Sequence, residues 1–285
     1  MYAEKAVVRV HGELKVQTRF YPHPTSNSTI ILVNGSLATC ASFSQALRFL
    51  NALFNVVLFD QPYSGGSRAH NHELPLLDME DEALILLDLI EHFRADQVMS
   101  FSWGGVSTLL AMAQRPARVQ RAVISSFSPV LNGPMLDYLM RGEKYMAAGD
   151  RLAIATLVNE TLGKHLPHAI KRSNFEHISA LDEHEYAQMQ HHIRQILNLG
   201  TDRFMHCVGN VDVPLLFLNG ERDEYTTPTD ALYFADLARR SEYVTIRHTG
   251  HYMEQEHKSA RQDVRQAIER FLLAESNLAR LRKAS

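Results

Sequence analysis

The chain shows two kinds of hydrophobic pattern. Residues 5–11 and 14–21 alternate apolar and polar side chains around His11-Gly12-Glu13, the period of an antiparallel hairpin. From Thr29 the apolar positions become continuous: Thr29-Ile30-Ile31-Leu32-Val33, Asn55-Val56-Val57-Leu58-Phe59-Asp60, the run ending in Ser100-Phe101, and Ala122-Val123-Ile124-Ser125-Ser126. Runs without a polar face suit strands covered on both sides, as in a parallel sheet. Between them lie stretches of helical spacing, notably 78–93 through Leu84, Leu86, Leu87, Leu89 and Ile90, and the segment from Gly104-Gly105 to Ala113. Strand and helix alternating at this pitch predict βαβ crossovers.

The alternation breaks after Pro129. Over 131–206 no strand pattern stands out, and helical segments are expected at 135–146, 151–161 and 183–197. Strands resume with Val213-Pro214-Leu215-Leu216-Phe217-Leu218 and Tyr243-Val244-Thr245-Ile246, and an amphipathic helix over 259–278 follows. The expected organisation is an α/β core formed by 1–130 and 207–285, with a helical cap of 131–206 inserted into it. The tail Arg280-Leu281-Arg282-Lys283 is expected to be frayed and solvated.

Composition narrows the function. A chain of 285 residues, 45% hydrophobic and 21% charged, is long enough for one large α/β domain with an insertion. A formal net charge of -3 and a pI near 6.6 exclude a globally basic nucleic-acid binder. Cys40 and Cys207 lack any C-x-x-C spacing, which argues against a disulfide scaffold or a zinc site. His191-His192 are too close to ligate one metal from a helix face, so no metal is expected. The N-terminus runs into Val7-Val8-Arg9-Val10 instead of an apolar leader, and no run of ~18 apolar residues occurs. No export signal, no membrane span and cytoplasmic residence are the resulting expectations.

Candidate chemistry gathers at the strand ends, where open α/β sheets place ligand and catalytic groups. Ser100-Phe101-Ser102-Trp103-Gly104 reads as strand, sharp turn and helix. A serine at such an apex projects its hydroxyl outward beside a helix N-terminus, where negative charge is favoured. The pattern is S-x-S-x-G, with Ser100 in the place of the usual first glycine. After Leu218 stand Asn219-Gly220-Glu221-Arg222-Asp223-Glu224, and after Ile246 stand Arg247-His248-Thr249-Gly250-His251. Serine attacks only if a base takes its proton, and the base needs a carboxylate to hold its tautomer. Ser102, His251 and Asp223 are the expected catalytic set, with Glu221, Glu224 and His248 as competing choices. The tetrahedral intermediate needs two amide donors, expected from Trp103 and from Ser36 or Leu37 in the Asn34-Gly35-Ser36-Leu37 loop.

The chain order Ser, Asp, His and the elbow resemble the α/β-hydrolase superfamily over nearly the whole length. That resemblance implies a mostly parallel central sheet with an inserted helical cap. Asp60-Gln61-Pro62-Tyr63-Ser64-Gly65-Gly66-Ser67 resembles its D-x-P-G-x-G-x-S loop, with Tyr63 in the place of a glycine. More narrowly, Ile31–Thr39, Phe54–Tyr63, Phe101–Gly105 and Asn219–Thr227 resemble the bacterial (R)-3-hydroxyacyl-carrier-protein transacylases of polyhydroxyalkanoate precursor supply. They also resemble the related 3-(3-hydroxyalkanoyloxy)alkanoate synthases of rhamnolipid biosynthesis. The pattern His177-Ile178-Ser179-Ala180-Leu181-Asp182, H-x4-D, resembles the transacylase branch. Read from residues alone, it is equally a helix boundary with Asp182 as N-cap.

The resemblance implies transfer of a 3-hydroxyacyl group from acyl carrier protein through an acyl-serine. The acceptor is coenzyme A as a co-substrate, or water, and no bound cofactor is implied. The sequence shows no glycine-rich phosphate loop for coenzyme A. In the cap, Met135, Leu136, Leu139, Met140, Tyr145, Met146, Leu152, Ile154 and Leu157 either wrap an acyl chain or pack the cap onto the sheet. Arg141, Lys144, Arg151, Lys164, Lys171 and Arg172 are either a docking face for the acidic carrier or a solvated face. The rival of another class is a receptor on the same fold that binds an apolar ligand without reacting.

Overall fold

The computed structural model describes residues 2–72, 74–238 and 240–274. Strands β1 (Glu4–Val10) and β2 (Leu14–Tyr21) form the expected hairpin. Then follow β3 (Thr29–Val33), α1 (Ser44–Leu50), β4 (Asn55–Phe59), α2 (Met79–Phe93), β5 (Gln97–Phe101), α3 (Gly104–Ala113) and β6 (Arg121–Ser125). Four helices intervene: α4 (Gly133–Ala147), α5 (Arg151–Glu160), α6 (His168–Ser179) and α7 (Glu183–Cys207). The chain returns through β7 (Leu215–Gly220), the single turn α8 (Pro228–Ala231), β8 (Ser241–Ile246), the single turn α9 (Met253–Glu256) and α10 (Lys258–Leu272).

The strands form one sheet in the order β1-β2-β4-β3-β5-β6-β7-β8. The pairs β1/β2 and β2/β4 are antiparallel and every other pair is parallel. Alternate residues of β3 explain why its run carries no polar position. Ile31 and Val33 pack with Leu86 and Leu89 of α2 and Leu109 of α3, while Ile30 and Leu32 pack with Leu50 of α1 and Val264 and Ile268 of α10. Each such side chain, fully removed from water, contributes about 2 kcal/mol. The resulting stiff sheet aligns the C-terminal ends of β3, β5, β6, β7 and β8.

Several boundaries differ from expectation. Ser126 is not in β6: it lies past the strand with φ 51°, in the left-handed region. Strand β7 begins at Leu215, after Pro214, which has no N–H to give a ladder. Helix α6 was not expected, because its apolar positions are sparse and Ile178 is its one fully buried residue. Helix α7 continues past residue 197 to Cys207 across a break at Gly200, whose φ of 68° only glycine adopts freely. Beyond the break Phe204 and Val208 pack with the sheet cluster. Helix α10 is described to Leu272, and its expected extension to 278 and the tail Arg280-Leu281-Arg282-Lys283 lie largely or wholly outside the described residues. The inserted helices form their own apolar cluster around Leu139, Ile154, Leu157, Ile178 and Met189.

Candidate active site

Ser102 occupies the turn between β5 and α3 with φ 51°. Left-handed backbone costs a residue with a Cβ about 1 kcal/mol or more, so neighbours must hold it. They do so by close packing. A Cβ on Gly104 would stand 2.5 Å from the Asn34 carbonyl oxygen and 2.7 Å from that of Val33, which explains the glycine kept there. Ser100 tolerates the place of the other elbow glycine because it is fully buried and its Oγ donates to the Val123 carbonyl at 3.3 Å.

The loops after β7 and β8 bring two groups to this serine. His251 Nε2 lies 3.0 Å from Ser102 Oγ, and His251 Nδ1 lies 2.8 Å from Asp223 Oδ2. The carboxylate accepts, so Nδ1 carries the proton and Nε2 presents its lone pair to the hydroxyl. Asp223 also accepts from the Tyr225 and Thr226 amides at 3.0 and 3.1 Å and from Thr226 Oγ1 at 2.6 Å. Burial alone would raise its pKa, but His251 and these donors outweigh burial and hold the carboxyl down at about 2. The competing residues stand elsewhere: Glu221 is exposed and accepts from the His248 amide at 2.7 Å, and Glu224 pairs with Lys164 at 2.8 Å. Sequence reasoning missed Ser126, whose Oγ donates to the His251 carbonyl at 2.6 Å and ties down the backbone of that histidine.

Ser102 opens on a cavity of about 340 Å³, in the range that holds small ligands. Ser36 and Leu37 line it beside the serine, with Leu37 at φ 58°. Its apolar wall comes from Met99, Phe101, Val158, Leu162, Leu166 and Ile170. None of the nine apolar cap residues lines this cavity, so of their two readings it is not the wrapping one that the cavity supports. Leu139, Ile154 and Leu157 are buried inside the cap, while Met140 and Leu152 face solvent with 64% and 62% exposure. Several of the basic cap residues have partners within the protein: Arg141 bonds Asp137, Lys164 bonds Glu224, Lys171 donates to the Lys164 carbonyl, and Arg151 lies over the Tyr186 ring.

Two cap histidines reach the site from α6 and α7. His177 Nε2 is 2.8 Å from the Leu37 carbonyl and lines the cavity. Asp182 caps α7, accepting from the Glu185 amide at 2.8 Å, and also accepts from Arg68 Nε at 3.3 Å. The H-x4-D pattern therefore spans a helix boundary, and both of its ends touch the core. His192 stacks on Trp103 with ring centres 4.5 Å apart and 18° between planes. On the other side, Trp103 Nε1 donates to Glu82 Oε2 at 2.9 Å, and Tyr63 donates to Glu82 Oε1 at 2.6 Å. Burial raises the Glu82 carboxyl to about 7, and burial lowers His192 to about 3. Their 3.3 Å contact thus joins a neutral imidazole to a carboxyl, not two charges. Sequence reasoning missed this cluster, although Tyr63 in the place of a loop glycine was its visible sign. His191 instead meets Asp78 at 2.7 Å, and among the described residues no group of His, Cys, Asp or Glu could hold a metal ion.

A serine, an aspartate and a histidine in this chain order and geometry, at the strand ends of a mostly parallel sheet, are the arrangement of the α/β-hydrolase fold. The family model for the alpha/beta hydrolase fold matches residues 28–257, and the chain belongs to that family. The chain is 53% identical over 272 residues to a Pseudomonas aeruginosa protein named (R)-3-hydroxydecanoyl-ACP:CoA transacylase, covering 95% of this chain and 91% of that one. It is 54% identical, over 95% of this chain and 92% of the relative, to the Pseudomonas putida protein of the same name. Among solved structures, the enol-lactonase from Burkholderia xenovorans superposes with a TM-score of 0.76 at 15% identity, over 94% of this chain and 99% of that one. The Cycloclasticus serine hydrolase CCSP0084 gives 0.75 at 17%, over 95% and 98%, and these two likenesses concern the fold alone.

Proposed function

We propose that the protein is an acyltransferase that takes an (R)-3-hydroxyacyl group from acyl carrier protein onto Ser102 and passes it to coenzyme A. The observation that carries this reading is identity above half, over nearly the full length of both chains, with proteins named for that transfer. The hydrogen-bonded chain from Ser102 through His251 to Asp223 supports it chemically.

In this reading His251 Nε2 takes the hydroxyl proton as Ser102 Oγ attacks the thioester carbonyl. Asp223 stabilises the imidazolium, and the amides of Trp103 and of Ser36 or Leu37 receive the developing oxyanion. Collapse breaks the carbon–sulfur bond, and the departing pantetheine thiolate takes the proton back from His251. The coenzyme A thiol then gives its proton to His251 as its sulfur attacks the acyl-serine carbonyl; collapse breaks the carbon–oxygen bond to Ser102 Oγ, which takes the proton back from His251, so the acyl group moves from one thiol to another. The apolar cavity takes the chain, and the exposed Lys144 and Arg172 on the cap suit the acidic carrier.

The test incubates the protein with 3-hydroxydecanoyl carrier protein, with and without coenzyme A, and identifies products by mass spectrometry. The expected product is 3-hydroxydecanoyl-CoA. Free acid as the main product in the presence of coenzyme A would replace transfer by hydrolysis. An ester-linked dimer would place the protein with the rhamnolipid-precursor synthases, and binding without any product would favour a receptor.

A further inference from the structure

The two loops that would supply oxyanion amides are each held from behind by a histidine of the inserted helices. On one side, Leu37 is in the left-handed region at φ 58°, a conformation that costs a bulky side chain about 1–2 kcal/mol. Its carbonyl accepts from His177 Nε2 at 2.8 Å, a bond that crosses 140 residues of sequence and anchors the Leu37–Ala38 peptide, directly after the one that carries the Leu37 amide. On the other side, the Trp103 indole is held at its edge and on one face. Its N–H is tied to Glu82 of α2, and its face is covered by His192 of α7. His192 is itself fixed, since Gln188 Nε2 lies 2.7 Å from His192 Nε2 while the same amide group bonds both the N–H and the carbonyl of Leu77, at 2.8 and 2.7 Å.

We propose that the cap sets the oxyanion hole. His177 and His192 are positioning residues, one for each loop whose amide receives the developing charge, and the hole is complete only with the cap seated as it is here. The inference rests on the acyl-serine reading above. It also gives the H-x4-D pattern a physical account, because His177 fastens the cap to the Leu37 loop and Asp182 fastens it to Arg68. A direct acid–base role for His177 fits less well, since its Nε2–H is spent on the Leu37 carbonyl.

Cap seating alone could be structural, so the test compares two ligands. A decyl boronic acid forms a tetrahedral adduct on Ser102 whose oxygen needs the hole, whereas free 3-hydroxydecanoic acid fills the cavity without needing it. His177→Ala is expected to weaken the boronate about 10- to 100-fold while leaving the free acid within about twofold. His177→Gln, whose amide nitrogen can reach the same carbonyl, is expected to recover most of the loss. His192→Phe, which keeps the stacked ring, is expected to retain more boronate affinity than His192→Ala. Unchanged boronate binding in His177→Ala, or equal losses for both ligands, would overturn the proposal. Absence of any adduct on the unaltered protein would instead overturn the acyl-serine reading.

Discussion

Ser102, Asp223 and His251 each stand just past a strand of one sheet, whereas His177 and His192 stand on inserted helices whose placement no strand register dictates. The two sides of the cavity therefore obey different rules. On the sheet side, a residue's position follows from counting past the end of an apolar run, because parallel pairing aligns the strand ends. On the cap side, position follows from which helix face packs down, and that depends on contacts such as His177 with Leu37 and Gln188 with Leu77, each more than 100 residues apart in sequence. In our account the sheet side holds the reacting groups, while the cap side supplies much of the cavity wall and the alignment of the amides.

The comparison can be broken first at the sheet side. Ser102→Ala and His251→Ala are each expected to cut turnover on the order of 10⁵-fold, and the double variant to lose little more, because the triad acts as a unit. Loss in the double variant equal to the product of the single losses, measured by steady-state kinetics, would mean that the two residues act independently.

The next largest effect concerns the carboxyl behind Trp103. Burial raises Glu82 from 4.5 to about 7, so the folded protein binds this proton more tightly than the unfolded chain does. Stability should fall as pH rises from about 4.5 through about 7 and then level off, by up to about 3 kcal/mol from this group. Glu82→Gln is expected to lack that slope in urea unfolding measured across the range. Parallel pH curves for the two proteins would show that Glu82 is not held protonated.

At the cavity wall, Leu166→Trp should shift preference towards shorter acyl chains by about tenfold in kcat/KM, as one or two methylenes lose their space. Met140→Ser, on the exposed side of the cap, should leave preference unchanged. Equal shifts from both would mean that the cavity described here does not hold the chain. The smallest effect belongs to the cap fastening. Asp182→Asn keeps the helix cap, loses the charge facing Arg68 and should cost under about 1 kcal/mol with turnover nearly intact. A hundredfold loss of turnover in that variant would assign Asp182 to the chemistry instead.

What the sequence reveals divides along the same line. The continuous runs of β3 to β7, the elbow and the chain order of the three residues are local patterns, and the three residues they single out are the ones the fold brings into one hydrogen-bonded chain. The cavity wall was not legible in the sequence because apolar cap residues serve two purposes that look alike there: Leu139, Ile154 and Leu157 pack the cap itself, while Val158, Leu162 and Leu166 line the cavity. Helix α6 escaped because four residues of its exposed face, His168, Arg172, Ser173 and Glu176, leave almost no apolar stripe. Glu82 drew no notice because it is one of three acidic residues in the first turn of α2, with Glu80 and Asp81, where acidic residues are ordinary. Only the fold shows it 1% exposed beneath Trp103 and Tyr63.

The central claim is that Ser102 carries the acyl group. Rapid mixing of the protein with 3-hydroxydecanoyl carrier protein, acid quenching and peptide mapping by mass spectrometry test it directly. The account expects a 3-hydroxydecanoyl ester on the peptide containing Ser102, absent from Ser102→Ala and discharged on addition of coenzyme A. Thioester turnover by the unaltered protein with no adduct on that peptide at any quench time, and undiminished turnover in Ser102→Ala, would contradict it.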